Sequence, residues 1–163
     1  MFSGERTLLL RRAFIGTSIA WSLLLPLTAL AAGREHDTAL VYASAALVYA
    51  VGGIVCHQLP ERSFHLWSQQ LPVCARCTGL YLGAALAALA DVPRGIRTHT
   101  ALALAARCAR AMLFMTAVPT IVTLAHEWIT GAMPSNMIRA VAAVPLGAAT
   151  ALLVLAAADN QVN

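Results

Sequence analysis

The chain contains no lysine: all eleven of its basic residues are arginines, set against seven acids. It is also poor in charge and in aromatic residues, at 11% and 6% of 163 residues, while 60% are hydrophobic. A soluble domain of this size needs a polar rind that such a composition does not supply. The mean hydropathy of +0.73 agrees with a membrane protein. No basic run and no basic helix face occurs, and the arginines sit mostly at the ends of apolar segments, so a nucleic-acid partner is excluded. The length suits one domain.

What is present is a series of apolar runs. Residues 13–32, AFIGTSIAWSLLLPLTALAA, hold no charge, and twenty helical residues match the ~30 Å of a hydrocarbon core. The same segment also reads as a secretory signal, with RTLLLRR as its basic region and ALA at 29–31 as a cleavage site. Further spans are expected at Thr38 to Val55, Thr78 to Val92, Ala111 to Ile129 and Met137 to Ala158. Ser135 and Asn136 are placed to cap the last of these. Residues 98–110 either extend the fourth helix or lie along the interface. The expected fold is all-α, a polytopic transmembrane helix bundle of about five spans, or four if the N-terminal segment is a cleaved signal. Residues 1–37 then form an N-terminal membrane helix or signal-like segment, and 38–163 a four-helix membrane domain carrying the loop 56–77. Gly79 and Gly83 form GxxxG, continued by Ala87, which predicts close helix packing.

With five spans, the loops 56–77 and 130–136 share a face with the N-terminus. Arg6, Arg11, Arg12, Arg62, Arg76 and Arg139 would lie there, against Arg34, Arg94, Arg97, Arg107 and Arg110 opposite. Six against five gives little direction. The usual dominance of the first helix points to a cytoplasmic N-terminus in the inner (plasma) membrane.

The chemistry is concentrated in CHQLPERSFHLWSQQLPVCARCTG, residues 56–79, which holds three of the four cysteines. Cys74 and Cys77 form a CxxC, and Cys56 and His57 are adjacent at the end of the second apolar run. Three thiolates and one imidazole complete a tetrahedral zinc set, with His65 as the spare candidate because neighbouring side chains diverge. The same CxxC supports thiol-disulfide exchange, with Cys74 attacking, Cys77 resolving and Cys56 shuttling. Cys108, and in the plainest reading the other three as well, are small apolar residues at helix ends. Pro60 and Pro72 argue for a shaped loop, within which ERSFHLW is expected to form a short amphipathic turn.

Polar residues on the same face give a third possibility. Arg62, Arg76 and Arg139 would make a fork for an anionic lipid headgroup, with Glu127 as a base, while interfacial snorkelling accounts for them equally. Glu127 at the end of the fourth span is expected to pair with Arg139. Glu61 and Asn136 complete the polar set. No partner fold for redox chemistry is encoded, and a hydrolase would want more carboxylates than Glu61 on that face. The residues therefore favour a metal-binding loop, with zinc as the ion, and assign no catalytic residue.

Three segments, CHQLPERSF at 56–64, QLPVCARCTGLYLG at 70–83 and PSNMIRA at 134–140, resemble the domain of unknown function 2085 family of small prokaryotic integral membrane proteins. The resemblance covers roughly residues 40–150. It implies that Cys56, His57, Cys74, Arg76, Cys77, Asn136 and Arg139 belong to a shared signature, and it brings no established activity. Where that family often has an aspartate and a glutamine in the fourth span, this chain has Thr123 and Glu127.

Overall fold

A computed structural model describes residues 2–34, 38–91 and 108–159. It contains five helices among those residues: α1 (Phe2–Ala32), α2 (Ala39–Val55), α3 (Ala75–Asp91), α4 (Ala109–Thr130) and α5 (Asn136–Asp159). The apolar runs place these elements well, although α1 begins eleven residues and α3 three residues before the stretches expected to cross. Most of 98–110 lies outside the described residues. Three helices are long and apolar enough to cross a membrane, at Leu8–Ala32, Ala109–Thr130 and Asn136–Ala158. Large apolar side chains such as Phe114, Met115, Val122 and Ile129 face outward from α4, as a lipid environment requires. The chain is a multi-pass membrane helix bundle.

Contacts between elements fix the helix directions. Arg11 of α1 pairs with Asp91, the last residue of α3, at 2.6 Å. Ser22 donates to the Tyr81 carbonyl at 2.9 Å, and Trp21 meets the Tyr81 ring edge-on at 6.0 Å. Thus α1 and α3 are antiparallel, and α3 begins beside the C-terminal end of α1. Gly79 abuts Ala140 and Gly83 abuts Val144, so α3 and α5 run parallel. Thr120 of α4 donates to Ala142 at 2.9 Å, consistent with an antiparallel return.

The second apolar segment behaves differently. At its start the Tyr42 hydroxyl donates to the Arg34 carbonyl at 2.7 Å, and at its end the Cys56 sulfur accepts the Cys74 amide at 3.1 Å. Both contacts lie toward the C-terminal end of α1, so α2 penetrates the bundle without reaching the Arg11–Asp91 end. The expectation that this segment returns the chain to the N-terminal face is therefore corrected. The loop 56–77 and the α4–α5 turn do share an end, but the N-terminus lies at the opposite one. A 17-residue apolar helix has the hydropathy of a span, and hydropathy carries no information on whether the chain turns back at depth.

The turn back is made by structure in place of the expected amphipathic turn. A 3₁₀ turn at Pro60–Arg62 leads into strands β1 (Ser63–Leu66) and β2 (Gln69–Cys74), an antiparallel hairpin. Trp67 and Ser68, at φ 51° and 63°, form its two-residue tip in the left-handed region, an unfavourable geometry for side-chain-bearing residues. Leu71 and Val73 of β2 pack with Leu25 of α1 and Cys56 in the local core, which holds the hairpin against the bundle.

The α3–α5 seam depends on glycine. A Cβ at Gly79, Gly83 or Gly147 would run into the carbonyl of Ala140, Val144 or Leu80 respectively, whereas one at Gly16 meets nothing within 4 Å. Gly83→Val should therefore lower stability by about 1–3 kcal/mol, the usual range for overpacking, and Gly16→Ala should not. Thermal unfolding in one detergent tests the pair; equal behaviour would mean that the seam tolerates side chains. Helix directions are testable by impermeant labelling of single cysteines at Ser68, Gly131 and Ser3, in a background without the native cysteines. The first two should share one accessibility and the third should differ; a shared state at all three would restore the five-span arrangement.

Candidate functional site

The three cysteines arrive from three elements. Cys56 ends α2 in an extended conformation, its amide donating to the Gly52 carbonyl at 2.9 Å. Cys74 is the last residue of β2, and Cys77 lies in the first turn of α3. Their sulfurs lie within 4.8 Å of one another. Gly52 makes this approach possible, since any Cβ there would meet the Pro72 carbonyl and lie 2.9 Å from Gln58 Nε2. Gln58 then turns the chain at φ 49°. Its amide donates to the carbonyls of Tyr49 and Pro72, each at 2.7 Å, and Gln70 donates back to the Gln58 carbonyl at 2.6 Å. The thiol pKa of Cys74 is lowered, first by a hydrogen bond from the Cys77 side chain and further by the Cys77 and Arg76 amides and Cys56, against the opposing effect of burial.

Neither histidine joins this set. His57 is exposed at the rim of the same cavity, and His65 sits exposed on β1 opposite Gln70. The expected closed four-ligand set is therefore corrected to three sulfurs among the described residues: the divergence of adjacent Cys56 and His57 side chains keeps the imidazole out. Cys108 is exposed at the start of α4 and takes no part.

Beside the sulfurs, one carboxylate gathers three guanidinium groups. Glu127 Oε1 lies 2.9 Å from Arg62 Nη2 and 3.2 Å from Arg139 Nη2, and Oε2 accepts from Arg76 Nη2 at 3.1 Å. The sequence pointed to the Arg139 contact; the other two come from positions 65 and 51 residues away in the chain and gave no local signal. Arg139 is 1% exposed and Glu127 7%, while Arg62, at 37%, reaches water. Among the described residues Arg139 Nε, Nη1 and Nη2 have no aligned hydrogen-bond partner, the contact of Nη2 to Glu127 being an ion pair without hydrogen-bond geometry.

Asn136 does not cap α5 but donates to the Ser63 carbonyl at 2.9 Å, tying the hairpin to that helix. Ser135 provides the cap, accepting from the Ile138 amide at 3.3 Å. Glu61 is exposed in the 3₁₀ turn, apart from the cluster. The sulfurs and the guanidiniums line one cavity of about 310 Å³, with Gln58 and His57 also on its wall. A second ion pair, Arg11–Asp91, was missed in the sequence; the available signal was an acid closing an apolar segment.

Removing the shared carboxylate should be the most damaging change in the cluster. Glu127→Gln strands three cations and is expected to cost about 3 kcal/mol or more, whereas Arg62→Gln, at a position open to solvent, should cost about 1 kcal/mol or less. Denaturation in phosphate-free buffer gives the order. An Arg62 variant less stable than the Glu127 variant would show that the carboxylate does not organise the site.

A protein of Methanocaldococcus jannaschii described as uncharacterised is similar to this chain, 50% identical over 36 residues, which cover 22% of this chain and 23% of that protein. Another uncharacterised protein, from Methanothermobacter thermautotrophicus, is 57% identical over 30 residues, 18% of this chain and 27% of its own length. The matched segments thus span about a quarter of these relatives. No solved structure matches. Residues 56–153, more than half of the chain and including every member of the sulfur and arginine clusters, match the family described as "Predicted membrane protein (DUF2085)", and the chain belongs to that family.

Proposed function

We propose that the protein holds a thiophilic metal ion, Zn²⁺ by the chemistry of its donors, between Cys56, Cys74 and Cys77. The observation that carries this reading is the convergence of three sulfurs from α2, β2 and α3 to within 4.8 Å. Thiolates suit zinc over magnesium or calcium, and three of them leave a coordination position directed by default to water or a ligand in the adjoining cavity. The neighbouring guanidiniums favour the thiolate form that a metal requires.

The helix directions also bear on where the site faces. Asp91 and Cys108, which bracket residues 92–107, both lie at the N-terminal end. Among the described residues that end carries Arg6, Arg11, Arg12 and Arg110, against Arg34, Arg62, Arg76 and Arg139 at the other, four on each side. Three of the latter four are tied to Glu127. The orientation therefore rests on the usual dominance of the first helix, which points to a cytoplasmic N-terminus in the plasma membrane and so to a sulfur site facing the opposite side. That location favours a second reading, a membrane thiol-disulfide oxidoreductase in which Cys74 attacks and Cys77 resolves, because disulfides persist outside the reducing cytosol.

Elemental analysis separates the two readings. Protein purified without chelator or metal-affinity tag should carry about one zinc per chain, lost in Cys74→Ser, with Cys56, Cys74 and Cys77 all titrating as thiols after metal release. Metal-free protein whose non-reducing digest links Cys74 to Cys77 or Cys56 would replace the metal by the redox reading.

A further inference from the structure

The arginine cavity has a neighbour that the metal reading does not use. A groove of about 680 Å³ runs between α1, α2, α3 and α5, walled by Phe14, Trp21, Val51, Tyr81, Leu146 and Val154. Val55, at the end of α2, lines both this groove and the arginine cavity. The apolar groove therefore adjoins the cationic pocket at Val55.

The pocket is short of negative charge. Arg62, Arg76 and Arg139 bring three positive charges and Glu127 one negative, an excess of two. Buried guanidinium nitrogens without acceptors are costly. Among the described residues, Arg139, 1% exposed, has two nitrogens, Nε and Nη1, with neither a hydrogen bond nor an ion pair, and the Nε atoms of Arg62 and Arg76 also lack hydrogen-bond partners. Glu127 is absent from the cavity wall, so it holds the guanidiniums from behind while all three arginines line the open side. A planar fork of N–H donors matches the geometry of a phosphate. A metal on three thiolates would add one negative charge and still leave the pocket cationic.

We propose that pocket and groove form one site for a lipid phosphate, with a phosphomonoester head on the three arginines and a hydrocarbon chain in the groove. The dianionic head matches the excess charge of the arginine cluster, and the apolar groove adjoining it at Val55 favours an amphiphile over a free oxyanion. The assignment does not depend on the metal, because the arginines and the groove supply all of its contacts.

Trp21 reports on the groove. In a Trp67→Phe, Trp128→Phe background, which removes two exposed indoles, the protein in nanodiscs is titrated with phosphatidic acid or phosphatidylcholine carrying brominated chains. Phosphatidic acid should quench Trp21 at tenfold lower mole fraction, and Arg62→Gln should reduce that preference at least fivefold. Val55→Phe, which narrows the junction, should weaken the preference while leaving stabilisation by inorganic phosphate intact. The preference should survive in Cys74→Ser, which separates it from metal binding. Equal quenching by both lipids would overturn the proposal, as would stabilisation by inorganic phosphate without any lipid preference, which would assign the pocket to a free oxyanion.

Discussion

The end of the bundle is organised by a single carboxylate that three arginines share. Glu127 stands in the last turn of α4, Arg76 and Arg139 in the first turns of α3 and α5, and Arg62 in the 3₁₀ turn before β1. One side chain thus joins four elements that have no covalent reason to meet. Burying an ion pair gains little against a hydrophobic alternative, whereas breaking one strands a charge at considerable cost. The cluster is better read as a device for specifying an arrangement and a local field than as a source of net stability. Glu127 cannot neutralise three cations, and the uncompensated charge is directed to the cavity shared with the sulfurs.

The glycine seam explains why two of those cations lie side by side. Because Gly79, Gly83 and Gly147 admit the facing backbone, α3 and α5 pack closely and in the same direction. Parallel packing brings both N-termini to one end, with free amides and positive dipole ends oriented alike. Arg76 and Arg139 each sit within a turn of those ends, and so does Cys77. Small residues in mid-bundle thereby set the electrostatics of a site two turns away. The same field favours thiolate over thiol at Cys74, whose sulfur already receives hydrogen bonds from its neighbours.

Much of this was legible in the sequence wherever it was local. Apolar runs placed the helices to within a few residues, except at the start of α1, where Leu8, Leu9 and Leu10 are flanked by Arg6 and by Arg11 and Arg12, charges at which a hydropathy reading cuts the segment off. The glycine spacing announced close packing, and the cysteine spacing announced a sulfur cluster. What could not be read depended on the path of the chain between elements. Apolar α2 looks like any span, and only contacts such as Arg11 with Asp91, 80 residues apart, show that it turns back. The gathering of Arg62 and Arg76 on Glu127 was hidden for the same reason, since each looks like an ordinary interfacial arginine. The histidines misled in the opposite sense: the right residue type at the right spacing, held outside by strand geometry and by side-chain divergence.

The reversal of the hairpin end relative to the N-terminus changes what the sulfurs mean. On the cytosolic side three neighbouring thiols would stay reduced without help; on the other side they persist only if something occupies them. A disulfide uses two sulfurs and leaves the third beside it as a nucleophile able to exchange, which is an unstable resting state unless exchange is the function. A metal uses all three and removes that reactivity, and the arginines reduce the cost of collecting three thiolates in a poorly solvated place. With the sulfur charge held by a cation, less of the positive charge of those arginines is drawn to the thiolates. A metal on the thiolates and an anion on the guanidiniums therefore support each other electrostatically, although each rests on its own set of side chains.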